Sequence, residues 1–485
     1  MAAKVACHRR TDASRIAENL SEGSAPLCVS KSSGQRLKTR TWIVLLLLVS
    51  VVAWFTYRLA RIIELRSLAM EAATAFQAEH WGQLEDVSRQ WTKKDPNAGT
   101  AWYLAGEAAK YRGSPVRMAG YFERLPDDHV KKPIALLDLA TACFGPLNQP
   151  SRGEAACLKS LQLAPDNVEA RRRLVFYYCI TLQRTKMVQF AREAIANQND
   201  LPETYAYLIG ADWITLSNAA PFNRSWLNSD DDPENYLVAY LIHWAGTTGI
   251  SSMSTDDDAR KEARLDLQAS PELQARIKSL LGRSTNQNEA IVHLQRIEQC
   301  LERYPNNPEL LAFQLKRAAA SGNVSEVRQL LSQVPQSAAG DNRFFHYKGW
   351  LHDALGEPEL AVEAYRNALR LNPFDWRSQL RLAVTLRLLG ETDEADRLAG
   401  LAMHGKQLRE TIMQLADVQS IPMPVMESMY EYCQACGDEL VAEGLLRRIK
   451  MFRNVKGLGN AGAAPVGFRY AIRQAPKAFV IRHYL

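Results

Sequence analysis

The sequence predicts an all-α protein, an α-α superhelical solenoid preceded by one N-terminal transmembrane helix. Three observations carry this. Apolar residues recur at helical spacing, as where Ala361, Tyr365 and Ala368 fall at i, i+4 and i+7 on one face. Prolines close helical runs at Pro96, Pro165, Pro305 and Pro373, separated by 69, 140 and 68 residues, which are near-multiples of 34 to 35. Finally, 17 uncharged residues run from Thr41 to Tyr57, and a helix that crosses a bilayer needs roughly 17 to 25 such residues.

Residues 1–40 read as a basic, disordered tail with eight Lys or Arg and three acids. The transmembrane helix is placed at residues 41–60. Arg40 and Arg58 flank the apolar run and can snorkel toward head groups. Trp42 at one edge, with Trp54, Phe55 and Tyr57 at the other, matches interfacial aromatic belts. A cleaved signal peptide is disfavoured: a 40-residue leader is long, and Trp54-Phe55-Thr56 offers no small-residue cleavage site. The twenty residues before the run carry four Lys or Arg and the twenty after it three. The positive-inside rule therefore places the amino terminus in the cytoplasm and the solenoid on the outer side, by a margin of one charge.

Between Asn342 and Pro373 the repeat unit is nearly complete, with Phe345, Lys348-Gly349, His352, Ala361, Tyr365, Ala368 and Pro373 at fixed intervals. Gly349 and Ala361 are small where two antiparallel helices cross, and Phe345, Tyr365 and Ala368 fill the gap between them. Leu355-Gly356-Glu357-Pro358 is the turn, Gly stopping one helix and Pro starting the next. Pro373 ends the second helix because it lacks an amide donor. Weaker copies stay in phase: Trp102, Gly106, Gly113 and Phe122 from Gly99; Gly322, Val327 and Leu331 from Pro308; Gly390 and Ala395 from Trp376.

On these residues the chain resembles the tetratricopeptide repeat (TPR) family, with Lys348 standing where that pattern has Leu and His352 where it has an aromatic. TPR-like repeats are assigned to residues 61–200 and 285–443. Residues 201–284 read as a degenerate helical region with acidic loops at Asp230-Asp231-Asp232 and Asp256-Asp257-Asp258. Residues 444–485 form a basic C-terminal segment with nine basic residues and no acid. The chain carries +6 in all, +5 in residues 1–40 and +9 in residues 444–485, which leaves −8 for residues 41–443. Terminal basicity of this kind suits solvated or anionic-surface-facing segments rather than specific nucleic-acid reading.

No recognisable reaction centre emerges. Gly457-Leu458-Gly459-Asn460-Ala461-Gly462 fits G-x-G-x-x-G, but a basic helical run precedes it and no acid follows, so it reads as a linker. Cys433 and Cys436 form a lone C-x-x-C within a helix, without further zinc ligands nearby, and read as buried helix cysteines. The acidic triplets lack the alternating ligands, Gly and distal Glu of a calcium loop. Nine histidines are dispersed. Eight scattered cysteines make no disulfide framework; free buried thiols suit a reducing compartment and argue weakly against export. No cofactor or metal is expected.

The expected function is that of a membrane-anchored scaffold for protein–protein interactions, in envelope assembly or protein export. The competing class is an enzyme whose activity lies in residues 200–284 or 440–485. The resemblance implies a groove lined by positions 2, 5, 9 and 12 of the first helix in each pair. Those positions, with one neighbour, give Lys316, Arg343, His346, Trp350, Arg377, Arg381 and Arg387 as candidate groove residues. Arginines there would pair with carboxylates and Trp350 would anchor an apolar side chain. The expected partner is an acidic peptide or acidic protein segment, bound more weakly as salt rises. Deleting residues 1–60 should convert a carbonate-resistant membrane protein into a soluble helical one, and a truncated protein that still pellets after alkaline washing would rule out a single anchor.

Overall fold

The computed structural model describes residues 33–211, 219–227, 233–247, 287–415 and 421–457. The tail before residue 33, both acidic triplets and the Gly-rich motif beyond Gly457 lie outside the described residues. The chain divides into two units, residues 1–67 and 68–485.

The first unit contains most of α1, Ser33–Gln77. Within α1 the stretch Leu45–Gln77 is long and apolar enough to cross a membrane by length and composition. Leu46, Val52, Trp54 and Phe55 are exposed. Two hydroxyls in the run are satisfied within the helix: Ser50 Oγ donates to the Leu46 carbonyl at 2.8 Å and Thr56 Oγ1 to the Val52 carbonyl at 3.0 Å. In lipid such groups would otherwise lack partners. Arg58 lies over the Trp54 ring, 5.1 Å from its centroid.

The second unit is a TPR-like α-α solenoid. It continues through α2 (Trp81–Lys94), α3 (Gly99–Tyr111), α4 (Pro115–Arg124), α5 (Lys132–Phe144), α6 (Pro150–Leu163), α7 (Val168–Ile180) and α8 (Arg184–Ala196). Next come α9 (Pro202–Ile209), α10 (Ala220–Trp226) and α11 (Pro233–Thr247), the described part of the region expected to be degenerate. Then follow α12 (Gln287–Arg303), α13 (Pro308–Ala320), α14 (Val324–Ser332), α15 (Asn342–Ala354) and α16 (Pro358–Leu371). The described residues end with α17 (Trp376–Leu388), α18 (Thr392–Met413), α19 (Met423–Ala435) and α20 (Glu439–Gly457), the last of which runs through the expected segment boundary at 443/444. No strand occurs among the described residues.

One backbone feature marks the repeat. The turn between paired helices has a residue in the left-handed region at Glu79, Gly113, Asn148 and Leu182, and again at Gly322, Gly356, Gly390 and Gly437. Successive positions in the first group differ by 34, 35 and 34 residues, and Gly322, Gly356 and Gly390 by 34 each. Each is position 15 of a repeat, counted from residues 65, 99, 134, 168, 308, 342, 376 and 423. Five are glycine, which adopts this conformation without penalty; three are not, which hides those turns from sequence inspection.

Helix pairing follows the small-on-aromatic contact expected for Gly349. A Cβ there would meet Tyr365 at 2.6 Å, and Gly106 stands in the same relation to Phe122, both at positions 8 and 24. Tyr365 is fully buried and donates to Asp353 at 2.7 Å.

The solenoid also folds back on itself. On α10, Phe222 meets Phe176 of α7 edge-on, with ring centroids 6.1 Å apart. Tyr236 of α11 places its hydroxyl 3.0 Å from that of Tyr177. Asn307 at the start of α13 donates to Glu234 of α11 at 3.3 Å. A single apolar core therefore joins Leu174, Tyr205, Leu310, Phe374, Tyr432 and Leu445, residues from seven-tenths of the solenoid's length.

Two stability outcomes follow. Gly349→Leu should cost about 1 to 3 kcal/mol through overpacking against Tyr365, whereas Pro358→Ala at a helix start should be much milder; equal unfolding midpoints would mean the frame is misplaced. Glu79 is exposed at a φ of 56°, so Glu79→Gly should raise the midpoint by relieving roughly 1 kcal/mol of left-handed strain; a lower midpoint would contradict the turn geometry.

Candidate protein-binding groove

The first helices α13, α15 and α17 carry the row on which the candidate groove residues fall. The structure treats those residues differently. Arg343, at position 2 of α15, is turned toward protein rather than solvent. Its Nη2 lies 2.6 Å from Glu309 Oε1 and 2.6 Å from Asp341 Oδ2, and its Nη1 lies 2.9 Å from Glu309 Oε2. Glu309 is at position 2 of α13, and Arg184, at the start of α8, reaches it with Nε at 2.9 Å. Burial pushes the Glu309 carboxyl up, but the Arg184 and Arg343 guanidiniums outweigh it and hold the group at about 2. Asp341 accepts the Arg343 amide at 3.0 Å and so also caps α15. The guanidinium expected to greet a ligand is thus committed to two internal carboxylates.

His346, at position 5, joins α15 to α17: its Nδ1 is 2.9 Å from Ser378 Oγ, and Ser378 in turn donates to Asp375 at 2.5 Å. With its proton given to Asp375, the Ser378 oxygen accepts from His346, which assigns the proton to Nδ1. Trp350, at position 9, is half-buried against the cluster of Leu311, Leu315 and Leu351. Asp353, at position 12, accepts from Tyr365 at 2.7 Å and from Thr385 at 2.9 Å.

The surface opens on α17. Arg377 lies over the ring of Trp376, 4.8 Å from its centroid, and is partly exposed. Arg381 is exposed. Arg387 is exposed and pairs with Asp396 at 2.5 Å, a surface contact worth little. On the same helix stand Leu380, Val384 and Leu388, which are 40%, 44% and 77% exposed. At intervals of four they make one apolar stripe on a helix face. Lys316 is exposed on α13. The structure therefore keeps α17 as an open face of apolar and cationic side chains, and closes position 2 of α13 and α15 with the ion pairs of Glu309 and Arg343. That closure had a trace in the sequence, because Glu309 and Arg343 occupy the same position in adjacent repeats, with Asp341 two residues away.

The cysteine pair is set for packing. Burial pushes the Cys433 thiol well above its ordinary value and the Cys436 thiol to about 12, away from reactive thiolates. Among the described residues no group of three His, Cys, Asp or Glu could hold a metal ion.

No family model matches this chain, and no curated protein matches it. Solved structures similar to it contain TPR proteins. The anaphase-promoting complex hetero-tetramer Cut9–Hcn1 matches over 79% of this chain and 71% of its own, at 12% identity and a TM-score of 0.27. A TPR protein from Parabacteroides merdae matches over 66% and 98%, at 11% identity and a TM-score of 0.24. A monomeric mutant of IFIT1 with Gppp-AAAA matches over 78% and 76%, at 10% identity and a TM-score of 0.27.

Glu309→Gln leaves Arg184 and Arg343 with an uncharged partner in the interior and should cost roughly 3 to 5 kcal/mol. The carboxyl's folded-state value is depressed from 4.5 to about 2, so its contribution is full above pH 4.5 and is lost as pH falls toward 2. Urea midpoints of wild type and Glu309→Gln should therefore differ at pH 7 and converge at pH 2; a gap that is constant with pH would contradict the ion pairing.

Proposed function

We propose that this protein is a membrane-anchored scaffold that holds an acidic segment of another protein on the α17 face of its solenoid. The α1 span is the anchor, and the charge balance around it favours a cytoplasmic amino terminus and a solenoid on the outer side, in envelope assembly or protein export. The observation that carries the reading is the α17 stripe: Leu380, Val384 and Leu388 exposed on the same helix as Arg377 and Arg381, on repeats that are otherwise net acidic. Exposed apolar side chains in a row mark interaction sites, and arginines beside them select carboxylates with defined geometry. Trp350 and Lys316 extend the row onto the neighbouring first helices. Arg343 and His346 support it from beneath, holding α15 to α13 and to α17.

The partner's segment would lay apolar residues on the stripe and acidic residues beside Arg377 and Arg381. Arg377→Ala with Arg381→Ala should weaken partner capture and its dependence on salt, with little change in unfolding midpoint. Leu380→Ser with Val384→Ser should weaken capture while the salt dependence stays. Full capture by both folded variants would overturn the assignment of the site and move it elsewhere on the solenoid.

A further inference from the structure

A second cluster of buried charge lies where the carboxyl-terminal helix meets the middle of the chain. Asp200 follows α8, and its side chain is wholly buried. It accepts from Tyr205 Oη at 2.8 Å, from Arg447 Nη2 at 2.7 Å and from Arg448 Nε at 2.7 Å. Arg447 also reaches the Ile195 carbonyl at 3.3 Å, in the last turn of α8, where the helix dipole favours a cation. On the same seam Arg192 of α8 pairs with Asp438, whose Oδ1 accepts the Val441 amide at 3.3 Å and so caps α20. Gly444 permits the approach, since a Cβ there would stand 2.7 Å from Ile195 Cγ2 and would also strike Tyr205.

These contacts join residues 246 to 248 positions apart. The seam therefore has no local connection to keep it shut, and its own side chains must hold it. It is also the polar edge of the core. Five charged groups meet there, each of which regains water when the helices part, which lowers the cost of opening relative to an apolar contact of equal area. The hairpin α19–α20 keeps its own contacts without the seam: Tyr432 Oη donates to the Phe374 carbonyl at 3.1 Å, and Met429, Cys433 and Val441 are buried.

We propose that the seam between α8–α9 and α20 is a clasp that opens locally, with Asp200 as the group that holds it closed. Opening frees the last repeat from α8–α9 while each helical pair stays intact. The clasp accounts for two of the nine basic residues in the carboxyl-terminal segment, since Arg447 and Arg448 face an internal acid rather than an external anion.

Segment-resolved hydrogen–deuterium exchange on the full chain tests this with two variants that act differently. Asp200→Asn removes the charge that gathers the arginines, and Gly444→Leu blocks the close approach without touching a charge. In both, amides of α9 and α20 should exchange at least about 10-fold faster, while those of α15 and α16 change by less than about 3-fold and the circular dichroism is unaltered. No acceleration in α9 and α20 would show that Asp200 does not hold the seam. Acceleration throughout the solenoid, or loss of the helical signal, would show that the seam belongs to the cooperative core and does not open locally.

Discussion

Eight helical pairs of the solenoid turn on one residue held in the left-handed region at the fifteenth position of the repeat, and the packing of each pair follows from that turn. The turn reverses the chain within three to five residues, so the second helix packs antiparallel on the first. That pairing lays the position-24 aromatic over position 8, as Tyr365 over Gly349 and Phe122 over Gly106. It also decides which residues remain outside. Leu380 and Val384 are exposed because the pairing of α17 with α16 and α18 consumes the other face, where Leu382, Ala383 and Leu386 are buried. Glycine meets the conformational demand at five turns; Glu79, Asn148 and Leu182 meet it with a side chain, at a cost of roughly 1 kcal/mol each. Leu182 recovers some of this by burial.

Stacking in chain order would give an open superhelix. Two buried acids change that. Glu309 sits between Arg184 and Arg343, and Asp200 between Arg447 and Arg448. Arg184 opens α8 and Asp200 follows its end, so α8 is tied at both ends to helices from the second half of the chain. Buried ion pairs of this kind contribute little net stability relative to well-packed apolar residues, because desolvation offsets most of the attraction, whereas removing one partner alone is costly. Their effect is on arrangement: a shifted register would leave a charge in the interior without its partner. The apolar core supplies the affinity between the two halves, and the charges fix how they meet.

The repeat and its phase were legible in the sequence wherever glycine or an aromatic residue marked them. From Gly349, Gly356 and Tyr365 the helix pair can be read correctly, and the 17-residue apolar run gives a helix suited to a membrane. Other features were hidden for definable reasons. Three turns carry no glycine at position 15. The return of α10 and α11 onto α7 depends on contacts such as Tyr177 with Tyr236, which no periodicity encodes. Arg343 looked available because its charge was counted within its own helix, whereas Glu309 lies 34 residues earlier. Asp200 and Arg447 are separated by 247 residues and carry no common motif. Local chemistry was thus readable, and the pairing of distant charges was not.

The proposed function requires that a partner sit on the α17 face, and site-specific photo-crosslinking in native membranes addresses that directly. A photoreactive residue at Val384 or Leu388 should yield covalent adducts with a segment rich in Asp and Glu. The same residue at Met403, which is exposed on the neighbouring α18, should yield none. Adducts from position 403 with none from 384 or 388 would contradict the account.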